Sequence, residues 1–445
     1  MRRSLLTIAV ALTLVAGVVP TAAGEDLLQI YRDAQQNDPA IASARANWNA
    51  LQERLPQARA ALLPNVGLTA SANANDGRLT IKADPRSVTA NTFENYQYSV
   101  SASQPLYRPQ NYVAVSQAEA TVAQADHSLA TSQQDLILRV AQAYFDVLLA
   151  QFSVELVESQ KAAVSEQLAQ AKRNFEVGVA TITDTNEAQA KYDQIVATEI
   201  ATRNDLDNKL TALRAIVGRV PGELKRLGQA YVPKLPEPNN AEYWVNRALS
   251  ENLAVRIAQS NFDIATLEVE RQRAGHLPTL DVVGSFGNST ATGSFNTEFG
   301  INSRTATIGL AFALPIYQGG FVNSKIREAL ALQDRARQDL EVARRNALFT
   351  AQTGYAGVVS AAASVAAFEQ ALKSAQVAYE SNKLGQEVGV RTNLDVLTVQ
   401  QNVFQTRHDL AQAYFNHILG LLRLKSAVGM LTEQDIEQVN RELRG

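Results

Sequence analysis

The 445 residues include no cysteine, so a disulfide framework, a thiolate metal site, a cysteine nucleophile and a lipid on an N-terminal cysteine are all excluded. Proline is scarce and unevenly placed: there are 13, and none follows Pro315. Residues 316–445 therefore lack the strongest helix breaker. Histidine is rare too. His127, His276, His408 and His417 show no metal-ligand spacing, and His408 and His417 lie half a turn apart around a helix. No glycine-rich loop opens a helix after a strand, which leaves an ATPase without a phosphate cradle. An excess of one charge is also missing. Without Arg2 and Arg3 the chain has 39 basic against 44 acidic residues, a net of −5, and offers nucleic acid no basic surface. Arg335 with Arg337, and Arg344 with Arg345, fit a solvated helix face. With 46% hydrophobic and 19% charged residues the chain is too apolar to be disordered.

At the N-terminus, Arg2 and Arg3 precede an apolar run from Leu5 to Val19 and then Pro20-Thr21-Ala22-Ala23-Gly24. This pattern predicts a signal peptide over residues 1–24, cut after Ala23 or Gly24. The run is shorter than the ~20 residues a spanning helix needs.

The run Val177-Gly178-Val179-Ala180-Thr181-Ile182-Thr183-Asp184 returns 211 positions later as Val388-Gly389-Val390-Arg391-Thr392-Asn393-Leu394-Asp395. In each copy a glycine interrupts a helical pattern and a Thr-x-x-Asp follows, the spacing of a capping box that starts a new helix. Each copy predicts an elbow between two helices. Other runs repeat as well: Leu62-Leu63-Pro64 matches His276-Leu277-Pro278 at an offset of 214, and Pro105-Leu106-Tyr107 matches Pro315-Ile316-Tyr317 at 210. The chain thus divides into a first repeat over 25–222, a proline-marked linker over 223–240, a second repeat over 241–430 and a C-terminal end over 431–445. From Asp435 onward the end has the composition of a solvated tail.

Within each repeat the hydrophobic period changes twice. Residues 26–61 predict a helix broken near Pro39 and bent at Pro56, and residues 241–274 predict its counterpart as one helix. Val66, Leu68, Ala70 and Ala72 then alternate with Asn65, Gly67, Thr69 and Ser71, and Tyr96, Tyr98, Val100 and Ala102 alternate with polar residues. Leu280, Val282, Gly284 and Phe286, and Ile308, Leu310, Phe312 and Leu314, repeat that logic. Polar loops are expected over 75–91 and 288–304. The 68 residues from Gln110 to Val177 contain neither glycine nor proline, and as one helix would reach about 100 Å. A second long run, 322–384, is softened by Gly354 and Gly357. Return helices are expected over 181–217 and 392–427. Strands with one oily and one small polar face fit a transmembrane β-barrel, with Leu68, Tyr98, Val282 and Leu310 toward lipid and Thr69, Ser99 and Thr307 toward water. Four strands cannot close a barrel, and open edges do not survive in lipid, so several copies must combine. Eight strands fill their interior with side chains; twelve leave room for water, and the small inward residues favour twelve.

On these runs, together with His276-Leu277-Pro278-Thr279-Leu280-Asp281 and Leu314-Pro315-Ile316-Tyr317-Gln318-Gly319-Gly320, the chain resembles the TolC-like outer membrane efflux protein family over its whole mature length. The resemblance implies a mainly α protein with transmembrane β: a homotrimeric outer-membrane β-barrel of four strands per chain, continued by a long periplasmic α-helical barrel. It implies a passive exit duct of a tripartite efflux or type I secretion system in the Gram-negative outer membrane, partnered by a periplasmic adaptor, an inner-membrane transporter and outer membrane lipid, with no cofactor and no catalysis. It also places a periplasmic gate at Thr183, Asp184, Gln386 and Arg391, a cation-selective ring at Asp395, and adaptor docking at Gly178, Val179, Gly389 and Val390. Two positions depart from the family pattern: Gln386 stands where a tyrosine is common, and Thr398 where a second aspartate is common. For Asp184 and Asp395 the alternative role is a helix cap, and for Arg391 a solvated side chain. Two other function classes stay open: a periplasmic coiled-coil adaptor or scaffold without a pore, and an exported enzyme.

Overall fold

The computed structural model describes residues 24–80, 88–228, 231–294 and 299–444; apart from Gly24, the predicted leader lies outside them. The chain opens with α1 (Leu27–Asn37) and α2 (Pro39–Gln52), separated at Asp38. Oδ1 of Asp38 accepts the N–H groups of Ala40 (2.7 Å) and Ile41 (3.1 Å), and Oδ2 accepts Arg139 Nη1 (2.8 Å). Burial alone would push this carboxyl up, but the bonds from Arg139, Ile41 and Ala40 outweigh it and hold the group below the usual carboxylate range. The next break falls at Glu53 rather than at Pro56, which sits in the first turn of α3 (Arg54–Ala60), where no backbone N–H is required.

β1 (Asn65–Thr80) and β2 (Val88–Tyr107) follow, then α4 (Pro109–Glu176, 68 residues) and α5 (Ile182–Val217). After β3 (Arg226–Leu227) the order recurs: α6 (Ala241–Glu251), α7 (Leu253–Arg273), β4 (Thr279–Ala291), β5 (Ile301–Ala313), α8 (Phe321–Glu387) and α9 (Asn393–Ala427). The predicted single helix over 241–274 is in fact two. Asn252 breaks it without a proline, capping α7 through the Val255 N–H (3.0 Å) and donating Nδ2 to the Ala427 carbonyl (2.7 Å). Both hairpins also run further than their polar composition suggested: strand covers 75–80, 88–91, 288–291 and 301–304, and the expected loop residues 81–87 and 295–298 lie outside the described residues. Ladder hydrogen bonds hold these residues in strand whatever their side chains.

The four strands form one antiparallel sheet in the order β1-β2-β4-β5. Leu68, Val100, Phe286 and Ala306 lie in one row across it, and Thr69, Ser99, Gly287 and Thr305 in the next. Since neighbouring rows point to opposite faces, Leu68, Tyr98, Val282 and Leu310 share one face while Thr69, Ser99 and Thr307 share the other. The apolar face is uncovered, with Leu68 70% and Ile308 85% exposed.

The main core lies well below the sheet, where α1, α4, α5 and α9 meet around Leu27, Val140, Tyr144, Phe145, Leu213 and Leu422. Phe145 stacks on Phe415 at 5.2 Å. Buried His417 faces the Lys234 carbonyl through Nε2 (3.1 Å), which puts its proton there and leaves Nδ1 to accept the Tyr231 hydroxyl (2.7 Å). Burial depresses the imidazole pKa, only partly offset by the Lys234 carbonyl. The C-terminal end is not a solvated tail. α10 (Glu433–Glu442) is capped by Thr432 and buries Ile436, and β6 (Leu443–Arg444) pairs with β3. One apolar stripe on a ten-residue helix suffices to dock it, and sparse apolar residues hid that stripe in the sequence. α8 passes Gly354 and Gly357 unbroken; a Cβ on Gly354 would stand 3.5 Å from Leu424, an ordinary contact, so neither glycine is required by space there.

Candidate functional site

α4 starts at the sheet and, at about 1.5 Å per residue, ends roughly 100 Å away, where the chain turns back. The two turns have the same backbone. Gly178 (φ 78°) donates to the Phe175 carbonyl (3.0 Å) and Val179 to Asn174 (2.9 Å); Gly389 (φ 77°) donates to Gln386 (3.0 Å) and Val390 to Gly385 (2.9 Å). This is the Schellman closure, which needs a left-handed residue after the helix. A Cβ on either glycine would meet nothing within 4 Å, so it is the dihedral angle and not space that calls for glycine.

Each return helix then opens with a complete capping box. Asp184 N–H donates to Thr181 Oγ1 (3.3 Å) and its Oδ2 accepts the Thr181 N–H (2.8 Å); Asp395 N–H donates to Thr392 Oγ1 (3.1 Å) and its Oδ2 accepts the Thr392 N–H (2.9 Å). Oδ2 also takes the threonine hydroxyl in both. The caps thus occupy one carboxylate oxygen, and neither Oδ1 has a hydrogen bond among the described residues. The Asp395 carboxyl is held below its usual range first by the Thr392 backbone N–H, then by the Thr392 hydroxyl and the charge of Arg391.

The gate residues predicted from sequence are divided between the elbows. Thr183 and Asp184 sit on the first; Gln386, Arg391 and Asp395 on the second, with no hydrogen bond or ion pair across among the described residues. Among the described residues no ion pair joins Arg391 to Asp184 of the same chain. Capping and packing hold each elbow on its own hairpin, and α5 meets α9 where Ile195 packs with Leu397 and Val164 and where Lys191 Nζ donates to Gln401 Oε1 (3.4 Å). Arg391 is exposed, its stem lying over Gly385, where a Cβ would come within 2.8 Å of Arg391 Cγ. Gln386 Nε2 donates to Asn393 Oδ1 (3.2 Å), and Thr398 turns its hydroxyl onto the Leu394 carbonyl (2.8 Å). Asn393 and Gly385 were not anticipated. The 211-residue offset signals both, because it aligns Gln386 and Asn393 with Phe175 and Ile182, and Gly385 with Asn174.

The outer surface of the elbows is apolar: Val179 is 74% and Val390 75% exposed, with Val177 and Val388 beside them. Above the first elbow, α4 and α5 are joined by charge. Glu199, itself buried, takes Lys161 (2.6 Å) and Arg203 (2.8 Å), and Arg203 reaches Glu158 (2.7 Å). Among the described residues no group of three or more His, Asp or Glu side chains is placed to hold a metal.

Residues 30–219 and 244–430 match the family described as outer membrane efflux protein, two stretches that follow the two repeats. The chain is 35% identical to the outer membrane protein TolC of Vibrio cholerae over 422 residues, 94% of each chain. It is 29% identical to the proteases secretion protein PrtF of Dickeya chrysanthemi, covering 99% of this chain and 95% of that one. Its fold is like the crystal structure of the Campylobacter jejuni CmeC outer membrane channel, with a TM-score of 0.79 over 94% of this chain and 90% of that one, at 15% identity.

Proposed function

Since this chain belongs to the outer membrane efflux protein family, we propose how its parts act as an exit duct for efflux or type I secretion. The protein resides in the outer membrane and extends into the periplasm, and its family consists of channels rather than enzymes. The observation that carries the reading is the joining of a sheet with one apolar and one small polar face to hairpins about 100 Å long. The apolar face meets lipid. The polar face lines water, and three copies supply the twelve strands that leave a lumen open. A periplasmic scaffold would have no use for an uncovered apolar sheet face.

The elbows form the periplasmic mouth. Arg391, which has no ion pair among the described residues, meets a carboxylate of a neighbouring copy, for which Oδ1 of Asp184 is available. Thr183 and the Gln386–Asn393 pair complete a polar contact that holds the mouth shut. Asp395 keeps its cap through Oδ2 and turns Oδ1 to the axis, where three copies make a ring that attracts cations. The exposed valines with Gly178 and Gly389 dock a periplasmic adaptor, which links the duct to an inner-membrane transporter. Proteins as well as small molecules fit such a duct, as the secretion function in the name of PrtF suggests.

Reconstitution tests the reading. Purified protein is expected to run as a trimer after crosslinking and to conduct in planar bilayers, and a monomer that neither inserts nor conducts would refute it.

A further inference from the structure

The apolar face of the sheet changes character along its length. On β4 and β5 its positions from Leu280 to Phe286 and from Phe312 to Ala306 hold only apolar residues and Gly284. Farther from the helices the same face carries Asn288 opposite Arg304 and Thr290 opposite Asn302. β2 sets Tyr98 opposite Asn288 and Tyr96 opposite Thr290. Directly opposite Cβ atoms are about 4.5–5.5 Å apart, so these six side chains form one patch, two rows deep and three strands wide. The residues from Asn288 to Arg304 read as loop in the sequence, and the ladder is what gives both ends of that stretch a face.

Height in the membrane follows from the strand itself. The climb from Leu314 to Arg304 is about 33 Å along an extended chain, which at a tilt of about 40° is about 25 Å across the membrane, the height of an apolar band rimmed by aromatic residues. A guanidinium facing lipid is costly at the middle of a bilayer and nearly free at its rim. The long helices leave the opposite end of the sheet for the periplasm, so the rim with Arg304, Tyr96 and Tyr98 lies in the outer leaflet.

Two groups in the patch are left over. Arg304 is exposed and has no hydrogen bond or ion pair among the described residues. Asn288 donates Nδ2 to Thr290 Oγ1 (3.4 Å), while its Oδ1 is buried without a partner. The acidic side chains of this face, Glu94 and Asp76, lie nearer the hairpin tips and accept the hydroxyls of Tyr96 and Thr92.

We propose that this patch recognises the phosphorylated amino-sugar headgroup of an outer-leaflet glycolipid. Arg304 takes the phosphate, which its planar fork can hold with two parallel bonds. Asn288 Oδ1 accepts an amide N–H or hydroxyl of the sugar, which meets its unsatisfied demand, and the tyrosines lie against the sugar rings. A phosphoglycerol headgroup offers the phosphate without the amide donor. The proposal rests on the reading that the apolar face meets lipid.

Binding of bis-phosphorylated lipid A to the delipidated, detergent-solubilised protein, read by native mass spectrometry, tests it. Arg304→Gln is expected to weaken binding at least about ten-fold, as for a lost hydrogen bond to a charged group, while Arg327→Gln, which alters an exposed arginine near the start of α8, leaves it unchanged. Asn288→Ala is expected to weaken binding of lipid A but not of phosphatidylglycerol. Equal losses from Arg304→Gln and Arg327→Gln would reduce the effect to general charge, and phosphatidylglycerol held by the unaltered protein as tightly as lipid A would reduce the patch to a phosphate site; either overturns the proposal. Conductance of the same preparations in planar bilayers keeps it apart from the duct reading: unaltered protein that conducts but binds no lipid A sinks this proposal alone, and protein that neither inserts nor conducts sinks the duct reading and this proposal with it.

Discussion

The two repeats meet the same backbone demands with different side chains, and the contrast is sharpest at the kinks and at the elbows. At the first kink a buried carboxylate, Asp38, caps α2 and binds Arg139; at the second, neutral Asn252 caps α7 and reaches the Ala427 carbonyl. The first elbow carries Phe175, Ala180 and Ile182 where the second carries Gln386, Arg391 and Asn393, on an identical hydrogen-bonded turn. The first hairpin is joined through the buried Glu199 network, the second through Tyr414 on Glu369 (2.6 Å) and Gln400 on Tyr379 (3.4 Å). Backbone geometry is duplicated because φ values and caps are local requirements. The second elbow thus carries three polar side chains, Gln386, Arg391 and Asn393, where the first carries apolar ones.

The strongest test of duplicated backbone with unequal surroundings is at the glycines that end α5 and α9, Gly218 and Gly429, both with φ near 80°. A Cβ on Gly429 would fall 2.2 Å from the Glu251 carbonyl oxygen, and one on Gly218 3.1 Å from the side chain of Asn37. Gly429→Ala should cost about 1–2 kcal/mol for the left-handed conformation and about 1–3 kcal/mol more for the clash, whereas Gly218→Ala should show little beyond the first. Thermal unfolding in detergent followed by circular dichroism compares them, and equal losses would mean that the kinks are not packed as described.

The kinks should also differ in their response to acid. Asp38→Ala is expected to cost about 0.5–2 kcal/mol as a lost cap, like Asn252→Ala, with the loss of the Arg139 partner in addition. Because the folded state depresses the Asp38 pKa, its contribution is present above about pH 4, the ordinary carboxyl value, and vanishes as pH falls through the lower folded value. Asp38→Asn should keep much of the cap and remove this acid dependence. His417, whose counterpart in the first repeat is Leu206, acts at higher pH. Its folded pKa is depressed, so stability is full above about pH 6.5 and declines below it as the unfolded chain takes up the proton more readily. His417→Leu should flatten the melting temperature between pH 5 and 7; an unchanged slope would place the titration elsewhere.

Smaller effects are expected at the elbows. An exposed pair shifts an equilibrium by no more than about five-fold, so Arg391→Ser should raise or destabilise single-channel conductance modestly, and an unchanged trace would remove Arg391 from the gate. For Asp395→Ala, relief of block by multivalent cations from the periplasmic side would establish the ring, while unchanged block beside a lowered melting temperature would leave the residue only its cap.

Much of this was legible in the sequence where the cause is local. The glycine elbows, the Thr-x-x-Asp caps and the alternating faces of the strands each follow from a few neighbouring residues. Thr181 and Thr392 cap as their spacing implies, and the row containing Leu68 has the predicted face. The break at Asn252 escaped because asparagine is compatible with a helix interior, and only the neighbouring Ala427 carbonyl makes the kink worthwhile. The docking of α10 escaped for a similar reason: one buried isoleucine in a polar segment gains its meaning from the surface it meets.

Local pattern sufficed for the recurring order of long helices and strands, for the extent of the two longest helices and for the two faces of the sheet, since period, glycine placement and capping act over a few residues. Only the packed chain decides that Asp38 finds Arg139, that Tyr231 finds His417 and that Arg108 grips Asp281 across the repeats. Those three pairs join residues 101, 186 and 173 positions apart, and no local pattern encodes which distant surface a side chain will meet.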